Sequence, residues 1–128
     1  MGDVHEIPFH GGRVDSVCKE FGMEPAKPLW HMDPLKVLRE FIDEGSEALV
    51  IKARADLFDE SWIGRNIDRN FVTEISQRIN VNPCGELGEY HTFAYNGPLF
   101  KIPIKIANFK KKRADNYWFL DITAFSTR

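Results

Sequence analysis

Cysteine is scarce in this chain of 128 residues, with only Cys18 and Cys84 present. Two thiols so placed lack metal-ligand spacing and are too few for a disulfide framework, so they read as the reduced thiols of a cytoplasmic protein. Long apolar runs are missing as well. No stretch approaches the ~20 residues of a membrane-spanning helix, and Met1 does not open a charged-then-apolar secretion signal. Net charge is nearly absent: 17 Lys and Arg stand against 19 Asp and Glu, a formal −2. That balance argues against non-specific nucleic-acid binding as the main task. There is no internal repeat and no low-complexity linker. What is present is a hydrophobic content of 43% and a charged content of 28%, the proportions of a soluble globular domain. A chain of this length suits one domain that buries roughly two-thirds of its unfolded surface.

Hydrophobic spacing predicts mixed α and β structure. Residues 4–9 form a short apolar-polar run, a strand candidate broken at His10-Gly11-Gly12. Val14, Val17, Cys18 and Phe21 recur at helical spacing before Gly22, which places Cys18 on an apolar stripe as a packed core thiol. Asp33-Pro34 supplies an N-cap followed by proline at the first helical position, Leu35, Leu38, Phe41 and Ile42 form the buried stripe, and Gly45 ends the helix. Ala48-Leu49-Val50-Ile51 is continuously apolar, as a strand covered on both faces is. Strand, helix, strand, helix, strand is the rhythm of a parallel sheet with crossover helices. Ile67, Phe71, Ile75 and Ile79 predict a third helix. The remainder reads as β-rich, with a half-exposed edge strand over residues 100–106 containing Pro103 and a final strand at residues 117–120.

The chemistry concentrates in Pro83-Cys84-Gly85-Glu86-Leu87-Gly88-Glu89-Tyr90-His91-Thr92-Phe93. Two carboxylates, an imidazole, a thiol and a hydroxyl fall within nine residues, and Gly85 and Gly88 let the backbone bend between them. A strand follows over residues 90–95 and ends in the turn-forming Asn96-Gly97-Pro98. Glu86 and Glu89 could serve as general bases or meet a cation, with His91 beside them; the plainer reading is a solvated bend and a half-buried histidine. On a strand, Phe93 and Tyr95 share the face of His91 while Thr92 takes the other. No second cluster of His, Cys or Asp completes a metal set. The His10-Gly11-Gly12 region tempts a phosphate-loop reading but has the wrong spacing and no lysine where one is needed. Gly64-Arg65 could aim a guanidinium at a carboxylate or phosphate. Lys110-Lys111-Lys112-Arg113 reads as a solvated turn or as a contact for an acidic partner.

Several of these stretches, in the same order, resemble the diphthine–ammonia ligase family, the N-type ATP pyrophosphatases of the PP-loop superfamily. The 82–93 stretch is similar to that family's P-C-G-E-x-G-E-(F/Y)-H-T-F, and Tyr95-Asn96-Gly97-Pro98-Leu99-Phe100 to its Y-D-G-P-(L/I)-F. Arg13-Val14-Asp15-Ser16-Val17-Cys18 resembles R-V-E-x-V-C, Pro28-Leu29-Trp30 matches P-L-W, and Trp62, Gly64, Arg65 and Asp68 follow W-x-G-R-x-(L/I)-D. There are departures. Gly11 stands where relatives carry arginine, Asn96 replaces the usual aspartate, and the S-G-G-K-D-S loop that grips ATP phosphates is not in this sequence. The resemblance therefore implies the C-terminal portion of such an enzyme, as a fragment, a split gene or a degenerate paralogue. Its fold would be the remnant of a parallel Rossmann-like sheet (residues 1–54, the end of the ATP-binding sheet) followed by a β-rich substrate-side region (residues 55–128).

For the full-length family the resemblance implies that ATP adenylates the carboxylate of diphthine on elongation factor two and that ammonia then displaces AMP. Magnesium would offset charge on the phosphates. In that scheme Glu86 and Glu89 would meet the trimethylammonium group or ammonium, and His91 and Thr92 would orient the acyl group or shuttle a proton. Gly85 and Gly88 would allow close backbone approach in the substrate site, Cys84, Trp62 and Arg65 would line it with Thr92, and Arg13 and Arg65 would meet the nucleotide. Carboxylate activation would then need machinery outside this chain. The alternative is a non-catalytic binding module, a partner subunit of a separate PP-loop protein.

Overall fold

The structure, a computed structural model, describes residues 10–127; the strand expected over residues 4–9 lies outside them. Helix α1 (His10–Glu20) starts at His10, so the glycine pair expected to form a loop is its first turn. Its apolar stripe is largely uncovered: Phe21 just beyond it is 71% exposed, and α1 adds no residue to the core cluster. Cys18 is thus half-exposed outside the core, correcting its expected place as a packed thiol. Helical spacing alone does not supply a surface to pack against.

Helix α2 (Pro34–Asp43) forms as its ends dictate. The Asp33 carboxylate accepts from the Leu35 N–H at 3.1 Å, and Pro34 fills a position that needs no donor. At the far end Gly45 adopts φ 81°, and the Ser46 N–H returns to the Phe41 carbonyl at 3.1 Å, the hydrogen bond that closes a helix on a left-handed residue. Leu38 is buried, and Leu35, Phe41 and Ile42 pack around it. Helix α3 (Arg69–Ser76) is capped by Asp68, which accepts from the Phe71 N–H at 2.9 Å. It buries Phe71, Val72 and Ile75 but stops short of Ile79, which is 96% exposed.

Strands β1 (Glu47–Arg54), β2 (Tyr90–Asn96), β3 (Lys105–Ala114) and β4 (Tyr117–Ser126) make one sheet in the order β2-β1-β4-β3. Every pairing in it is antiparallel. This corrects the expected parallel, Rossmann-like sheet. In β1, Ala48 and Val50 are buried while Leu49 and Ile51 are half-buried on the other face; an apolar run covered on both sides does not encode the direction of its neighbours. Residues 64–67 run beside the first half of β1, with the Val50 N–H donating to the Arg65 carbonyl at 2.9 Å and the Ile67 N–H to the Ala48 carbonyl at 3.0 Å. They leave β4 only the far end, where Lys52, Ala53 and Arg54 pair with Phe119, Trp118 and Tyr117.

β3 also departs from expectation. Its strand begins at Lys105, after Pro98 and Pro103, so residues 100–104 are loop, and the cations Lys110 to Arg113 lie within the strand instead of a turn. Proline carries no ladder donor, whereas lysines suit an outward-facing strand. The hairpin turns at Asp115, φ 53°, a residue type that tolerates the left-handed region. The core lies between the sheet and α2 and α3. An aromatic chain runs through it: Phe58 to Trp62 at 5.0 Å between ring centroids, Trp62 to Phe71 at 5.6 Å, and Phe71 to Tyr90 at 5.5 Å.

Candidate functional site

Tyr90, the first residue of β2, ties this aromatic chain to the turn that precedes it. Its hydroxyl donates to the Pro83 carbonyl at 2.5 Å, and burial, reinforced by Cys84 and Glu89, raises its pKa so that it stays protonated. Residues 82–89 fold back over this ring. Asn82 starts the turn: its side-chain oxygen accepts from the Cys84 N–H at 2.8 Å and its amide reaches Glu86 at 3.4 Å. An asparagine that bonds the backbone two residues on is a turn former by mechanism. The Gly85 N–H closes on the Asn82 carbonyl at 2.8 Å. Gly85 sits at φ 66°, and a Cβ there would lie 2.8 Å from the Tyr90 carbonyl oxygen and 3.0 Å from its ring. Only glycine fits this place.

Glu89 secures the turn from beneath. It is 2% exposed, and its carboxylate accepts from the Asn82 N–H at 2.5 Å and the Leu87 N–H at 2.8 Å. A buried carboxylate between two amide donors is well paired and holds the ends of the turn together. Glu86, by contrast, is half-buried on the turn itself. Gly88, at φ 80°, faces open space.

One wall of this turn borders a cleft of about 410 Å³, within the range of small-molecule sites. Cys84, Gly85, His91 and Thr92 line it beside Leu29, Phe41 and Ile67. Consecutive strand side chains point to opposite faces, yet His91 and Thr92 both border the cleft, where the pairing of β2 with β1 shifts register between Val50 and Lys52. The Cys84 thiol donates to the Pro34 carbonyl at 3.4 Å. Burial, with Glu86 and Asp33 nearby, pushes its pKa up to about 12, so it stays a neutral thiol at physiological pH and is not a nucleophile.

The cleft thus unites Cys84, Gly85, His91 and Thr92, with Glu86, Gly88 and Glu89 on the adjoining turn. It does not gather the rest. Trp62 is buried among aromatic rings between two guanidinium groups, Arg65 at 4.7 Å and Arg78 at 4.9 Å from its ring centroid. Arg65 also pairs with Glu74. Neither Trp62 nor Arg65 borders the cleft; the rings of Phe71 and Tyr90 link Trp62 to it. Arg13 lies on the exposed side of α1, away from the cleft lining. Sequence reasoning passed over Asn82, whose Asn-Pro pair was the available signal, and the apolar wall from α2. Among the described residues no group of three or more His, Cys, Asp or Glu could hold a metal ion.

Comparison with known proteins gives a consistent result. The family described as diphthamide synthase C-terminal domain matches residues 33–127, from the cap of α2 to the end of β4. Diphthine–ammonia ligase of Homo sapiens is 37% identical over 92 residues, covering 70% of this chain and 34% of that protein. The Mus musculus protein of the same name is 35% identical over 101 residues, 77% of this chain and 38% of the relative. That of Schizosaccharomyces pombe is 32% identical over 91 residues, 70% of this chain and 15% of the relative. The chain therefore spans about a third of the animal relatives and less of the yeast one.

Proposed function

The chain belongs to the diphthamide synthase C-terminal domain family, and on that premise we propose that it forms the substrate side of an ATP-dependent amide ligase. The substrate would be a carboxylate that becomes an amide with ammonia, diphthine on elongation factor two being the one the resemblance implies. The observation that carries this reading is the braced turn: Glu89 and Tyr90 hold Cys84 and Gly85 against His91 and Thr92 at the margin of one cleft.

The cleft does not fit ATP with magnesium. Its lining has no lysine, arginine or carboxylate, whereas a triphosphate calls for cations or a nest of amides and the metal for oxygen ligands. We therefore assign nucleotide and metal to the part of the relatives that this chain does not span, and the acyl group to this cleft. Thr92 and His91 hold the acyl oxygen by hydrogen bonds, and the His91 imidazole takes the proton that ammonia gives up as its nitrogen bonds the acyl carbon and the bond from that carbon to the AMP oxygen breaks, AMP leaving. Cys84, kept protonated by burial, contributes shape, and amide formation proceeds without a thioester. Glu86 stands at the rim as the partner for a cationic part of the substrate, and Glu89 positions the turn.

The same lack of phosphate and metal ligands supports the alternative, a subunit that works with a separate PP-loop protein in the cytoplasm. The test supplies ATP, magnesium, ammonium and diphthine-bearing elongation factor two, with and without such a protein, and follows AMP and amide by mass spectrometry. The expected result is amide only when the PP-loop protein is present, with the yield cut at least about tenfold by Thr92→Val, the loss of one transition-state hydrogen bond. AMP release by this chain alone would overturn the division of labour. Full amidation by Thr92→Val would overturn the assignment of the cleft.

A further inference from the structure

β3 forms the edge of the sheet opposite β2, the strand that borders the cleft. This strand is ten residues long and lies at the sheet edge, so that among the described residues no strand pairs with the backbone groups of its outer side. It carries Lys105, Lys110, Lys111, Lys112 and Arg113 and no acid, in a chain whose whole balance is −2. The register fixes where these cations stand. Lys110 and Lys112 oppose Asp121 and Phe119, while Lys111 and Arg113 oppose Leu120 and Trp118, so alternation puts two cations on each face of the ribbon. Of these five cations only Lys112 has a carboxylate in ion-pair reach among the described residues, Asp121 at 2.7 Å, and Arg113 lies over the Trp118 ring at 5.2 Å.

Lysines on an edge strand commonly guard against aggregation. Two observations set β3 apart from that role. The other edge strand, β2, has no lysine or arginine at all and is met by its following loop, whose Ile104 N–H donates to the Tyr95 carbonyl at 2.8 Å, whereas no described loop does this for β3. β3 also exposes Phe109 at 43%, and its partner strand Phe125 at 68%, apolar surface that a guarded edge would not display. A flat acidic surface would meet one face only. A strand lying along the edge, with carboxylates alternating above and below it, meets the cations of both.

We propose that β3 is a docking edge for an acidic, extended segment of a protein partner, which adds to the sheet as a fifth strand. Main-chain hydrogen bonds would supply the pairing and the flanking cations the preference for acidic side chains. The proposal stands independently of the ligase reading.

The test uses the whole chain, a fluorescein-labelled glutamate decapeptide and, as the competing probe, a decauridylate RNA. Binding is read by anisotropy at low and at physiological salt, and amide exchange is followed along β3. The expected result is that the glutamate peptide binds and slows exchange along β3. Lys110→Glu with Lys111→Glu, one cation from each face, should weaken binding at least about tenfold. The milder Lys110→Gln with Lys111→Gln should weaken it less, and Lys36→Glu with Lys101→Glu not at all. Binding of the RNA but not the peptide, equal binding by the reversed variant, or no binding together with self-association of the reversed variant would each overturn the proposal.

Discussion

Glu89→Ala removes the acceptor of two backbone N–H groups, those of Asn82 and Leu87, in a turn where the carboxylate itself is buried. Orphaning two partly buried donors should cost about 2–4 kcal/mol, seen as a lower urea midpoint at unchanged slope. Glu89→Gln should cost less, because its amide oxygen still serves one donor while its NH2 faces the other. The two glycines of the turn give a second contrast. Gly85→Ala must force a Cβ against the Tyr90 carbonyl at 2.8 Å, so its cost should reach about 2–4 kcal/mol, combining left-handed strain with overpacking. Gly88→Ala meets nothing within 4 Å and should cost only the backbone strain, about 1 kcal/mol. Equal losses by urea denaturation would refute the packing account. Cys84 adds a pH dependence. Its pKa is raised from 9.0 to about 12 by burial, then by Glu86 and Asp33, so the folded thiol keeps its proton where the unfolded one loses it. That contribution is whole below pH 9 and declines as pH rises toward 12, by up to about 1.4 kcal/mol per pH unit for one proton. The melting temperature should therefore fall above pH 9, and less steeply in Cys84→Ala; identical slopes would count against it.

At the scale of elements, what could be read from sequence was what neighbours in the chain decide. Asp33-Pro34 and Gly45 give α2 both its ends, and Asp68 begins α3 by the same chemistry. Asp33→Ala should destabilise by about 1 kcal/mol and Asp33→Asn by much less, since asparagine also caps; thermal melts compare the two. What escaped was decided by distant partners. Ala48-Leu49-Val50-Ile51 is apolar enough to be covered on both faces, but β2 and β4 come from beyond residue 89 and both run against it. Lys110 to Arg113 look like a turn because nothing local says that β4 will pair with them. The site divides in the same way. The Gly85 bend and the strand carrying His91 and Thr92 were legible. That Glu89 turns inward to hold Asn82 and Leu87 was not, because those donors converge only once the turn has closed. Trp62 and Arg65 were recognised as special by type, yet their place is in the aromatic stack.

Across the whole molecule, stability should be graded from one end of the sheet to the other. β1 is held on both sides, by β2 and by residues 64–67 and β4, and it buries Ala48, Val50 and Ala53 under the helices. β4 meets β1 only through Tyr117, Trp118 and Phe119. Past Leu120, its last buried residue, β4 keeps one half-buried side chain, Ile122, against the core; beyond it β3 is its one strand partner among the described residues, and a two-stranded ribbon is marginal by itself. Native-state amide exchange should show this directly. Protection in β1 and α3 should approach the global unfolding free energy, while the open end of the ribbon, residues 105–108 against 124–126, should exchange by local opening and much faster. Because that opening needs no global unfolding, Ile75→Ala, a core truncation costing about 2–5 kcal/mol, should accelerate exchange in β1 and leave the ribbon end unchanged. Equal acceleration at both would mean that the sheet opens as one unit. An independently opening ribbon is also the state that a fifth strand would close, so the glutamate peptide should protect the ribbon end while leaving β1 as it was.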